Sequence, residues 1–340
     1  MPVRLHALPM ISAVLALTLP AAARADETAP VQEAWTATGD MLRAGAAGIS
    51  APQQAGGLSL SKSGEASNGG SGIDNYAQYL SQDGAIQATL YIYLPSYADA
   101  SLAAYMTDKA IMSRFGAKTR RTAYDTVRVG GRDGGAIRAV YEDAADGALT
   151  TAAAFVHAGR WLAKIRVTGP AERQREVLAG LDGMLSSLRF DDAASIHSTR
   201  AVSYADCADS ASARAAGADD LALKPEGGAA LCVRSRIETA DGSYEMLQAQ
   251  GVKDGPVIIP ADDMGTVLAF DRTASGRGYR LSIHSVGRTD FYGTYARLPG
   301  AQQIAAMLNG KDPQIAQASS TADYAANGKV TVRHAQDKAN

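Results

Sequence analysis

Apolar and polar residues alternate in short runs along most of the chain, the period-2 pattern of half-buried strands, and few stretches repeat at helical spacing. The clearest run is Asn75–Tyr97, NYAQYLSQDGAIQATLYIYLPSY, with five tyrosines. Asp83 and Gly84 suit a two-residue turn that pairs Gln82 with Ala85, Gln78 with Thr89 and Tyr76 with Tyr91. One face then carries Tyr76, Gln78, Leu80, Gln87, Thr89, Tyr91 and Tyr93, and the other, the core face, Ile86, Ala88, Leu90, Ile92 and Leu94. A helix is expected over Ala98–Phe115, stopped by Gly116, with Leu102, Met106 and Phe115 inward. Strands follow at 126–129, 136–142, 149–156 and 161–168. A turn at Ala158 and Gly159 sets Val156 against Trp161 and Ala154 against Ala163, and turns Lys164 and Arg166 to the opposite face. Pro170 opens a helix whose stripe is Val177, Leu181, Met184, Leu185 and Leu188, ending near Phe190.

The flanks are less regular. Thr28–Ser50 reads as one amphipathic helix through Val31, Trp35, Leu42 and Ile49, and Leu58–Ser61 as a short strand before the flexible turn SGEASNGGSG. Asp191–Arg200 lacks apolar periodicity and reads as a linker. Beyond it come an Ala-rich helical stretch at Cys207–Ala216, strands at 230–237, 244–250, 257–259, 266–271, 279–286 and 290–297, and a short helix at 302–308. From residue 312 there is little to bury, so the tail is expected to be largely disordered.

This pattern is an α+β chain: an N-terminal segment 26–56, an antiparallel sheet with packed helices over 57–190, a linker 191–200, a smaller, mostly β α+β domain at 201–310 and a tail 311–340. From Leu58 to Phe190 the order of elements resembles the PsbP-like fold, a central antiparallel sheet with helices over it. That resemblance implies binding or assembly roles rather than catalysis.

The first 25 residues change the setting. A basic start at Arg4, an apolar run from Ala7 to Leu19 and the small-x-small pattern of Ala23 and Ala25 form a secretory leader cleaved before Asp26. Pro9 and Pro20 argue against an uncleaved anchor, and no later run is long and apolar enough to span a membrane. Without the leader the chain keeps 31 basic and 35 acidic groups, which suggests neither nucleic acid nor an anionic membrane surface as partner. Export to the periplasm or medium makes Cys207 and Cys232 a disulfide pair, the alternative being two buried thiols.

Little in the chain carries chemistry. Five histidines without HExxH, no CxxC, and Asp262 and Asp263 without an oxygen-rich run leave no metal or cofactor site. SIHS sets Ser282 and Ser285 beside His284 with Asp290 nearby, a hydrolase alternative that lacks a GxSxG elbow. GGRDGG at Gly130–Gly135 reads as a hairpin turn. Lys164, Arg166 and Arg138 form either an anion-binding face or a solvated basic one. The tyrosines serve first as strand formers, and Tyr76, Tyr91, Tyr93, Gln78 and Thr89 are the candidate ligand-binding residues. The expectation is a non-catalytic binding or accessory protein of the cell envelope, its partner a protein or small molecule. A structural envelope component is the further alternative.

Overall fold

The structure is a computed structural model that describes residues 34–67, 71–208, 230–240, 242–252 and 255–335. The leader, the start of the expected N-terminal helix and the Ala-rich stretch beyond Ala208 lie outside the described residues.

The fold is mostly β, in antiparallel sheets with few helices. Where one N-terminal helix was expected, three short strands stand: β1 (Trp35–Thr38), β2 (Met41–Ala44) and β3 (Ile49–Pro52). Gly39 and Gly48 both sit at positive φ and reverse the chain, so the helical spacing of Leu42 and Ile49 comes from two strands facing the same core. Next come β4 (Gln54–Ala55), β5 (Leu58–Glu65), β6 (Asp74–Ser81), β7 (Gln87–Tyr93) and α1 (Ala100–Phe115). Then follow β8 (Arg120–Val129), β9 (Arg132–Ala144), β10 (Leu149–Ala158) and β11 (Trp161–Pro170). The helix α2 (Gln174–Ser187) and β12 (Arg189–Phe190) complete this half.

Strands β4 to β11 make one eight-stranded sheet in the order β4-β5-β6-β7-β11-β10-β9-β8, and β12 joins the small sheet beside β3. On one face of the large sheet α2 buries Val177, Leu181, Met184 and Leu185 against Ala88, Leu90, Ala163 and Ile165, together with Leu42 and Ile49 of the small sheet. The other face receives α1, whose N-terminus is capped by the Asp99 carboxylate accepting from the Ser101 and Leu102 amides.

Two expected turns differ in detail. The β6–β7 register is the expected one, Tyr76 opposite Tyr91, but the hairpin closes at Ser81 and Ile86 around a four-residue loop. Asp83 keeps a negative φ there, so the two-residue turn is not formed. Between β10 and β11 the turn is Gly159–Arg160, which sets Ala158 opposite Trp161 and Val156 opposite Ala163, two residues along from expectation. A shift of two preserves the faces.

The segment 191–200 is packed rather than loose. Ile196 is buried and bridges to Ala158, and the Thr199 amide donates to the Gly134 carbonyl. Ile196 lies across the β8–β9 hairpin turn, where Gly130 and Gly131 take the positive φ that such a turn needs. A Cβ on Gly130 would come within 2.4 Å of Ile196 Cδ1.

The second large sheet holds β13 (Leu231–Thr239), β14 (Gly242–Ala249), β15 (Val257–Pro260), β16 (Val267–Arg272), β17 (Tyr279–Ser285) and β18 (Arg288–Tyr295). After α3 (Ala301–Leu308), β19 (Ser320–Tyr324) and β20 (Val330–His334) extend it, although residues 311–340 were expected to be largely disordered. Its outer core packs Ile304 and Met307 of α3 on Phe270 and Leu281. The described residues form one compact unit. The seam between the large sheets contains Tyr97 and Leu102 against Val233, Leu247, Ile258, Val267 and Ala269. The Ser96 and Gly287 amides donate across it to Ser285 and Leu94.

Candidate functional site

The α1-side face of the first sheet can be followed in rows through its register. One row runs Gln78, Thr89, Arg166, Ala153 across β6, β7, β11 and β10, and the next runs Tyr76, Tyr91, Lys164, Phe155. Its β9–β10 end is covered: Ala100, Ala103 and Ala104 of α1 pack on Ile137, Ala153 and Phe155. Tyr93 belongs to that cluster and is wholly buried, with Met264 and Val286 of the second half beside it. Burial drives its phenol well above the usual tyrosine pKa. Tyr93 is therefore core, not an open ligand contact. The β6–β7 end is left as a strip in which Tyr76, Gln78, Thr89 and Tyr91 are each half-buried beside exposed Gln87.

The three cations expected on one face are separated. Arg138 faces α2, where it pairs with Asp182 at 2.8 Å, because its register partner Ala154 belongs to the core face. Lys164 has a side chain only 4% exposed and donates to Asp263 at 2.5 Å. Burial outweighs that pairing and pulls the ammonium below its ordinary pKa. Lys164 also lies 5.7 Å from the centre of the Tyr91 ring.

Arg166 remains on the strip, half-buried. Among the described residues it forms no ion pair or hydrogen bond, and its aromatic neighbour there is Phe115 at the end of α1, 5.4 Å to the ring centre. Arg114 approaches the same ring at 5.6 Å. Burial first, then Arg114, lower the Arg166 pKa, though a guanidinium stays charged. Alternation turns Arg166 away from the apolar face of its own strand; that this is the tyrosine face follows from the β7–β11 pairing, and the convergence of Arg114 and Phe115 from where α1 ends over the sheet.

Beside this strip, a cleft of about 300 Å³ opens between α1 and the second sheet, lined by Tyr105, Lys109, Ser113, Tyr244, Glu245 and Asp263. Its charged groups are already engaged. The Tyr105 hydroxyl donates to Glu245, which also meets Lys109 at 2.9 Å, while Asp263 accepts from Lys164 and Thr107. Asp262 accepts from the Met264 and Thr266 amides.

The hydrolase constellation is only partly assembled. Ser282 Oγ lies 3.1 Å from His284 Nε2, but Nδ1 faces Thr289 Oγ1 at 3.3 Å. Asp290 turns away to Arg288 and Thr321. Burial lowers the His284 pKa to about 4, and Ser282 is itself buried. Ser285, the other serine of that motif, meets the Arg288 carbonyl. Cys207 and Cys232 form a disulfide. It holds residues 205–207 along β13, where the Cys207 amide donates to Val233 and the Val233 amide to Ala205. Among the described residues no group of histidine, cysteine and acidic side chains is placed to hold a metal ion, and no helix is long and apolar enough to cross a membrane.

No protein family model, curated protein or solved structure matches this chain.

Proposed function

We propose that this is an exported, non-catalytic binding or accessory protein of the cell envelope whose ligand face is the uncovered strip of Tyr76, Gln78, Thr89 and Tyr91. The observation that carries the reading is selective covering. One face of one sheet is closed by α1 and the second half over β8, β9, β10 and Tyr93, yet at its β6–β7 end Tyr76, Gln78, Thr89 and Tyr91 keep part of their surface toward solvent. Such side chains give contact area and hydrogen bonds at small entropic cost.

Export rests on the leader with its small residues at Ala23 and Ala25, and the Cys207–Cys232 disulfide fits an oxidising compartment. The PsbP-like resemblance rests on element order and points to the same class of role. The ligand is a protein or small molecule, with periplasm the first location because the composition is rich in alanine, arginine and glycine.

The test is capture of a partner from envelope extract by the full chain, repeated with Tyr76→Ser and Tyr91→Ser. Each variant is expected to fold, losing about 1 kcal/mol, the scale of a cross-strand pair, and to hold the captured partner at least tenfold more weakly. Variants that fold and retain full affinity would remove the strip from consideration. Turnover of ester or peptide substrates abolished by His284→Ala would favour the hydrolase reading instead.

A further inference from the structure

We infer that the border of the strip at Arg166 is a binding site for an oxyanion, a carboxylate or phosphate group carried by a ligand whose body lies across Tyr91. The placement of the ligand body rests on the reading of the strip as the ligand face; the anion site does not. Three features carry it.

The Arg166 guanidinium is half-buried and has no counter-ion or hydrogen-bond acceptor among the described residues. A partly desolvated charge without a partner is unfavourable, so an anion that fills the position stabilises the folded chain. Arg114 also converges on the Phe115 ring, so two like charges approach one point. Asp263, the acid whose field reaches Arg166, is already bonded to Lys164 and Thr107. The local balance is therefore positive.

Geometry suits the same ligand class. A guanidinium near an aromatic ring still offers a planar edge of donors, which matches two oxygens of a carboxylate or phosphate. Thr89 stands opposite Arg166 in the register and Gln78 beyond it, adding a hydroxyl and an amide to the same row. Lys164 and Arg138 cannot serve in its place, because each is committed to an acid elsewhere.

The experiment titrates the full chain with acetate, benzoate, inorganic phosphate and phenyl phosphate against chloride at equal ionic strength, followed by thermal unfolding and calorimetry. At least one oxyanion class is expected to raise the Tm saturably where chloride does not, and the two classes distinguish carboxylate from phosphate. Arg166→Met is expected to fold, to melt at or above the wild-type temperature without anion, and to lose at least tenfold in anion affinity. Arg166→Lys keeps the charge without the planar edge and is expected to lose a similar factor, and Arg114→Gln a few-fold. Absence of a saturable shift with every oxyanion, or a shift unchanged in both Arg166 variants, overturns the site. Tighter binding of the phenyl-bearing anions, lost in Tyr91→Ser, places the ligand body on the strip. Equal affinity for phenyl-bearing and bare anions, with the Arg166 dependence intact, removes the body from the strip and supports the anion site.

Discussion

His284 and Asp271 sit on neighbouring strands, β17 and β16, and burial moves them in opposite directions, to about 4 from 6.5 and to about 6 from 3.8. Folded His284 stays neutral where the unfolded chain binds a proton, so its contribution to stability is present above pH 6.5 and lost as pH falls toward 4. Folded Asp271 holds a proton that the unfolded chain releases, so its contribution is present below 3.8 and lost as pH rises through 6. Between those limits the two slopes oppose each other, each about 1.4 kcal/mol per pH unit. Asp271→Asn is expected to expose the histidine slope, so that urea midpoints fall between pH 6 and pH 4.5 by more than in the wild type. His284→Asn should show the reverse trend, and parallel profiles for all three proteins would refute both assignments. Neither shift is legible in the sequence, where His284 is one polar residue on a strand. Tyr93 is a similar case, since alternation assigns its face but not what lies over that face.

At the scale of elements, β15 and β16 show as short apolar runs because both their faces are buried, and the β6–β7 register follows from alternation, because one face lies in a core and the other is less buried. The missed elements lack that contrast. β20 does alternate, as VTVRH, but it is short and all five of its residues are exposed, with Val332 at 55%, so its pattern marks no buried face. The small N-terminal sheet was hidden by glycine turns that happen to space apolar residues as a helix does. Segment 191–200 holds one apolar anchor, Ile196, too few for a periodic signal. That anchor has a measurable consequence at the Gly130 turn. Gly130→Ala combines a left-handed backbone with a collision against Ile196 and is expected to cost about 2–4 kcal/mol. Ile196→Ala alone should cost about 2–3 kcal/mol as a buried truncation, and the double variant less than the sum, because removing the side chain relieves the collision. Additive losses in urea unfolding would show that the two do not touch.

For the whole molecule, the seam between the large sheets combines an apolar cluster with charged contacts far apart in sequence, Lys164 with Asp263 and Tyr105 with Glu245. Such pairs leave no local trace: each residue alone reads as a surface group. Asp263→Ala leaves the Lys164 ammonium buried and unpaired and is expected to cost about 3–5 kcal/mol at neutral pH. Lys164→Met combined with Asp263→Leu, which removes both charges, should recover most of that loss. A variant Asp263→Ala as stable as wild type in urea would mean that the pair contributes nothing to joining the halves.

The Cys207–Cys232 bond closes a covalent ring through the 25-residue separation it spans. Peptide bonds inside a ring are topologically redundant. Any one of those between Cys207 and Cys232 can be hydrolysed and the two pieces still travel as one molecule, parting only when a reductant opens the sulfur bridge. A chain nicked there therefore keeps its intact size under oxidising conditions, gaining the mass of one water, and yields two fragments after reduction.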